Sequence, residues 1–177
     1  MSTFLAISGS LRAASLNTRL LQALPALAPS GAQVVQFDIA DVPLYNQDLD
    51  TENALSVIKA LRIAVQEADG VIFVTPEYNH TIPAVTKNVI DWISRPYNQG
   101  HLREKNVALF VGSIGPDSGT YCLAHTKDLL ELLNNTVVCA LTVGALHEKL
   151  STIDGVDTIT DDHVAQQIRN GLAALTS

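Results

Sequence analysis

The chain has 177 residues, 47% of them hydrophobic, and a formal net charge of −7. That length and apolar content suit one domain, residues 1–177, with a sizeable core, and they exclude a disordered chain. The acidity speaks against nucleic acid, whose phosphates reward clustered Lys and Arg, and fits a chain kept in solution by its charge.

The elements read in order as an alternation of strands and helices. TFLAIS (3–8) is a short buried strand, and NTRLLQALPALA (17–28) follows with Leu20, Leu21, Leu24 and Leu27 at helical spacing. Pro25 is expected to kink or shorten that helix. AQVVQFDI (32–39) is a second strand and DVPLYNQDLD (41–50) a loop. TENALSVIKALRIAVQEAD (51–69) is a helix capped by Thr51, with Leu55, Ile58, Leu61, Ile63 and Val65 as its apolar positions. GVIFVT (70–75) is apolar throughout, as a strand covered on both sheet faces should be. A helix over 82–94 carries Pro83 near its start, where proline is tolerated. NVALFVGS (106–113), a helix over 119–134, TVVCALTVG (136–144) and a terminal helix over 161–175 complete the chain.

This alternation predicts an α/β fold, a doubly wound parallel sheet with helices on both faces. Five strands fit the flavodoxin-like order 2-1-3-4-5. Cys122 and Cys139 stand in no zinc or redox spacing, and although Cys122 and His125 could share a helix face, no second ligand pair accompanies them, so no metal site is expected. The opening MSTFLAIS lacks a basic segment, and no apolar run is long enough to span a bilayer. A cytoplasmic protein without membrane contact is the expectation.

In such a sheet a ligand sits beyond the carboxyl ends of the strands, where the strand order reverses. Three polar loops converge there: SGSLRAASLN (8–17), PEYNHTIP (76–83) and GSIGPDSGT (112–120). The first ends at a helix N-terminus, which favours an anion. Ser8, Ser10, Ser15 and Thr18 offer hydroxyls, Asn17 an amide and Arg12 a forked cation suited to phosphate, while Gly9 permits a tight turn. The same residues would also serve as helix caps beside a solvated arginine. The loop has neither the G-x-G-x-x-G nor the G-K-[ST] pattern. In the second loop, Pro76 and Pro83 restrict the backbone, so that Tyr78 and His80 could flank a planar ligand and Asn79 bond its edge. On the next helix Lys87 and Asp91 read as a surface pair, and Trp92 as core or subunit interface rather than a ligand platform.

The paired motifs G-S-x-R-x-x-S-x-N (9–17) and P-E-Y-N…P…K-N-x-x-D-W (76–92) resemble the NADPH-dependent FMN reductase family of flavodoxin-like proteins, which includes quinone, chromate and azo-dye reductases. The likeness runs from the first strand to the fourth helix. It implies bound FMN, with the phosphate at Ser10, Arg12, Ser15, Leu16 and Asn17. The ribityl chain and ring would lie along Pro76, Glu77, Tyr78, Asn79 and His80, closed over by Ser113 and Gly115. It further implies an NAD(P)H oxidoreductase working by ping-pong: NADPH or NADH passes hydride to flavin N5, and a small-molecule acceptor (a quinone, azo compound, metal ion or free flavin) then takes the electrons. The flavin carries the chemistry, so no catalytic side chain is assigned. A flavodoxin-type electron carrier and a flavin-free binding module on the same fold are the alternatives. Relatives are usually homodimers or homotetramers, and Trp92 with Tyr97 could supply such a surface. Departures from the family pattern fall at Ala84, at Thr86 and in the third loop, where Pro116-Asp117-Ser118-Gly119 stands in place of a common Gly-Gly ending.

Overall fold

A computed structural model describes residues 1–116 and 118–176. Five strands form one parallel sheet in the order β2-β1-β3-β4-β5. They are β1 (Ser2–Ser8), β2 (Ala32–Phe37), β3 (Gly70–Thr75), β4 (Asn106–Gly112) and β5 (Thr136–Val143). The order agrees with the sequence expectation, and its physical reason is visible in β3. Every residue of that central strand is buried, with Val71 and Phe73 in one apolar layer and Ile72 and Val74 in the other.

Helix α1 (Leu16–Ala23) and the terminal helix (Asp162–Ala173) cover one face, where Leu20, Leu21, Leu24, Ile168 and Leu172 pack on Phe4, Ile72 and Phe110. Helices α2 (Ser56–Glu67), α3 (Ala84–Ile93) and α4 (Thr120–Leu132) cover the other. Pro25 does shorten the first helix: the α-helix stops at Ala23 and a 3₁₀ turn, Leu24–Leu27, takes over.

Thr51 does not cap α2. The helix starts five residues later, behind Leu55, and the Thr51 hydroxyl instead accepts from the Asn53 amide at 3.2 Å in a separate turn. Ile58, Leu61 and Val65 are its buried stripe, while Leu55 and Ile63 are exposed. Between β5 and the terminal helix lie elements the sequence reading left out. A one-turn helix α5 (Leu146–Lys149) leads into an antiparallel hairpin of β6 (Leu150–Ile153) and β7 (Val156–Ile159), before α6 (Asp162–Ala173). The hairpin turn is Asp154-Gly155, both with positive φ. That dipeptide between LSTI and VDTI is a two-residue turn signal that was there to be read. Arg19 of α1 fastens the hairpin through Asp157 at 2.8 Å and Thr152 at 3.0 Å.

The K-N-x-x-D-W motif proves to be scaffold. Trp92 is fully buried and so is not a subunit surface; Tyr97 beside it is exposed. The Trp92 indole N–H and the Asn88 amide both donate to Pro43 O at 2.8 Å, and Asn88 Oδ1 accepts from the Tyr45 amide at 2.7 Å. The Tyr45 ring meets Trp92 edge-on at 4.9 Å. Arg62 closes the cluster, donating to Trp92 O and to both oxygens of Asp50 at 2.7 and 2.9 Å. Lys87 and Asp91 pair at the surface at 2.7 Å, as expected. These bonds hold the 41–50 loop against α3. Trp92→Ala should therefore destabilise the fold by about 3–5 kcal/mol, read as a lowered midpoint of urea unfolding; a loss under about 1 kcal/mol would contradict this packing.

Cys122 lies fully buried in the first turn of α4, and its thiol is pushed up from about 9 to about 11, chiefly by burial. A hydrogen bond with Thr126 works against that shift and the Glu77 charge adds to it. At pH 8 only about one such thiol in a thousand is ionised. In a Cys139→Ser variant, Ellman's reagent at pH 8 should react slowly with the native protein and fast once it is unfolded. The unfolded thiol ionises near pH 9 while the native one keeps its proton, so Cys122 should also erode stability as pH rises from 9 towards 11. Rapid labelling of the native variant would contradict both.

Candidate functional site

β1 and β3 are neighbours in the sheet, but their chains leave towards opposite faces, β1 into α1 and β3 into α3. The first loop (9–15) begins at Gly9, whose amide donates to Val74 O at 2.7 Å. A Cβ on Gly9 would collide with the hydroxyls of Thr75 and Thr86, which bond each other at 2.8 Å. Only glycine fits that approach. Ser8 Oγ meets Thr18 Oγ1 at 2.8 Å, and Ser15 caps α1, its hydroxyl accepting from the Thr18 amide at 3.2 Å. The amides of Leu16 and Asn17, in the first turn, have no intrahelical acceptor and point out of the helix end.

Around that end stand Ser10 and Ser15, both buried, and Arg12, which is exposed. Among the described residues the Arg12 guanidinium has no side-chain partner. The Asn17 side chain is already engaged: it donates to Gly112 O and accepts from Gly112 N, each at 3.0 Å, tying α1 to the end of β4. Asn17 therefore has its backbone amide, and not its carboxamide, to offer.

The second loop (76–83) forms a tight turn. Tyr78 and Thr81 exchange backbone hydrogen bonds at 3.3 and 3.0 Å, with Asn79 and His80 at positive φ between them. The turn leans on α4. Glu77 Oε2 accepts from the Cys122 amide at 2.9 Å, Cys122 Sγ donates to Pro76 O at 3.4 Å, and Thr81 Oγ1 meets His125 Nδ1 at 3.1 Å. Cys122 and His125 are thus committed to separate partners, and the described residues hold no group of three or more His, Cys, Asp or Glu arranged to bind a metal. In the third loop (113–119), Ser113 Oγ bonds the carbonyls of Gly115 at 2.8 Å and Ser118 at 3.1 Å. Asp117 lies outside the described residues.

These loops enclose a cleft of about 390 Å³, within the usual range for a small-molecule site, about 300–1,000 Å³. Ser10, Arg12, Ser15, Leu16 and Asn17 line its helix end. Pro76, Glu77 and Tyr78 form one wall, and Ser113 and Gly115 the other. The structure does not bring Asn79 and His80 into that lining, because the turn carries them to its exposed tip, where the His80 ring packs edge-on against Tyr121 at 5.2 Å. Ala14, Gly112, Ile114 and Ser118 line the cleft and were not anticipated. Ile114 and Ser118 fell within the third loop but carry no chemistry that sets them apart in a sequence. One end of the cleft offers an exposed guanidinium, two buried hydroxyls and two helix amides, the donor set for a phosphate. The walls offer Tyr78, Ile114 and backbone, a surface for a flat ring. An FMN-shaped ligand fits these residues.

A sequence model of the NADPH-dependent FMN reductase family matches residues 2–150. The chain is 36% identical over 166 residues to a quinone reductase of Escherichia coli, covering 90% of this chain and 88% of that protein. It is 33% identical to an NAD(P)H-dependent FMN reductase of Pseudomonas aeruginosa, covering 97% and 91%. Among solved structures, the flavoenzyme NAD(P)H:(acceptor) oxidoreductase FerB of Paracoccus denitrificans superposes with a TM-score of 0.83 at 30% identity, covering 99% of this chain and 96% of that one. The chain belongs to the NADPH-dependent FMN reductase family and is an FMN-dependent NAD(P)H oxidoreductase.

Proposed function

We propose that FMN is held with its phosphate over the N-terminus of α1 and its ring between the second and third loops, and that the acceptor is a quinone. One observation carries this reading: a single cleft joins an anion-binding helix end to two walls suited to a planar ring. Bound FMN supplies the redox chemistry, taking hydride equivalents from NAD(P)H and yielding them to the acceptor. The residues of the chain bind and orient. Ser10, Ser15, the Leu16 and Asn17 amides and Arg12 hold the phosphate dianion, the helix dipole adding to the guanidinium charge. The 76–78 backbone and the Tyr78 ring on one wall, with Ser113 and Gly115 on the other, fix the ring plane.

The quinone assignment rests on the named relatives and on the rim of the cleft. Tyr78, 44% exposed, and Ile114, 66% exposed, are both in the cleft lining, and exposed Tyr121 of α4 packs on His80 at the tip of the second loop. An apolar rim of this kind favours a flat, weakly polar acceptor over a hydrated metal ion. The same reading treats residues 1–177 as one FMN-binding domain acting in the cytoplasm as a homodimer or homotetramer, with exposed Tyr97 available to a subunit contact.

The test is reconstitution. Apo-protein mixed with FMN should retain one equivalent after gel filtration, lose its visible absorbance on anaerobic addition of NADPH, and regain it on addition of benzoquinone. A protein that emerges colourless would overturn the reading. Arg12→Ala should weaken FMN binding by about 10- to 150-fold, the equivalent of a lost charge-assisted hydrogen bond of about 1.5–3 kcal/mol. Its apo-protein melting temperature should not move, because the Arg12 side chain supports no other described residue.

A further inference from the structure

We propose that Glu77 is a positioning residue, whose carboxylate joins the second loop to the first turn of α4 and so sets the separation of the two walls that grip FMN. The inference rests on the cofactor placement proposed above.

A carboxylate in a redox cleft invites a role as ligand or acid, yet the geometry spends it elsewhere. α4 is 13 residues long, and its N-cap is Gly119, which has no side-chain oxygen to offer. Its first-turn amides therefore need an acceptor from outside. Glu77, 45 positions earlier, provides it: Oε2 accepts from the Cys122 amide at 2.9 Å, and the side chain is only 9% exposed. A carboxylate at the positive end of a helix is favourably placed, and shielding from water strengthens the contact.

The bond links two loops and not merely one loop to a helix. α4 begins where the third loop ends, at Gly119, so its first turn moves with Ser118 and Ile114. Glu77 is flanked by Pro76 and Tyr78 in the opposite wall. The other contacts across this seam are weaker or more exposed: the Cys122 thiol on Pro76 O at 3.4 Å, Thr81 on His125 at 3.1 Å, and the His80 ring on Tyr121. His80 Nδ1 also stands 3.6 Å from the second Glu77 oxygen, but His80 is largely exposed. Glu77 is thus the buried, charged tie between the walls. It also fills the helix end of α4 with the chain's own anion, which leaves the α1 end as the place for a ligand phosphate.

The test compares wild type, Glu77→Gln and Glu77→Ala by FMN titration of the apo-proteins and by visible circular dichroism at saturating FMN. Glu77→Gln keeps an acceptor oxygen within reach of Cys122 and should bind FMN within about threefold of wild type, with the same flavin spectrum. Glu77→Ala should weaken binding about tenfold and diminish the visible dichroic band, because the ring is less firmly held. A general structural role would lower the melting temperature of the apo-protein and leave the saturated spectrum unchanged. If Glu77→Ala does not fold, Glu77→Asp replaces it, one methylene short of the amide, with the same expected direction.

Equal affinity and spectra in wild type and Glu77→Ala would overturn the proposal while leaving the cofactor placement intact. Equal damage in Glu77→Gln and Glu77→Ala would overturn it in favour of a charge acting on the ligand itself. Failure of the wild type to bind FMN would remove the placement, and the clamp with it.

Discussion

The structure turns on the place where β1 and β3 part. β1 is paired to its last residue, Ser8, opposite Val74 of β3, and the contact continues one step further through Gly9 N–H to Val74 O. Beneath Gly9 the Thr75 and Thr86 hydroxyls bond each other, and Thr75 also bonds Pro76 O. No side chain fits at position 9 over that pair. The junction therefore fixes where each chain leaves the sheet, α1 to one face and α3 to the other. A cleft between the diverging loops follows from the topology before any ligand is considered. It also gives Thr86 a role: its hydroxyl completes the buried pair that seats Gly9.

The two motifs that mark the family divide their labour. In the first, Arg12 and the serines face the cleft, whereas Asn17 spends its carboxamide on Gly112 and ties α1 to β4. In the second, Pro76 to Tyr78 face the cleft, whereas Asn88 and Trp92 hold Pro43 and Tyr45 against α3. A motif at such a site carries ligand contacts and the scaffold that keeps them in register. Asn17 and Trp92 are buried and Asn88 half-buried, and each has its side-chain polar atoms hydrogen-bonded, which makes them costly to change.

The sheet order and the converging loops were legible because strand alternation and the switch-point rule need only element order. Ten of the twelve expected site residues line the cleft for the same reason. What escaped the sequence lies in contacts between distant segments. The turn that lifts Asn79 and His80 out of the lining is set by consecutive positive φ angles at an Asn-His pair, a weaker turn signal than Asn-Gly or Asp-Gly. The partner of Glu77 lies 45 positions away on α4. Thr51 looked like a helix cap by residue type, but a separate turn intervenes before the helix starts at Ser56. The β6–β7 hairpin carries an Asp-Gly turn, but its strands are only four residues long and mostly exposed or half-buried, so they lack the apolar run that marks the strands of the main sheet.

The claim at the centre of this account is that the helix end of the cleft anchors a phosphate. Calorimetric titration of the apo-protein with FMN and with riboflavin, which differ only in that group, tests it most directly. Binding of FMN tighter than riboflavin by about a hundredfold or more, with the advantage shrinking in Arg12→Ala, is the predicted result. Equal affinities for the two flavins would contradict it.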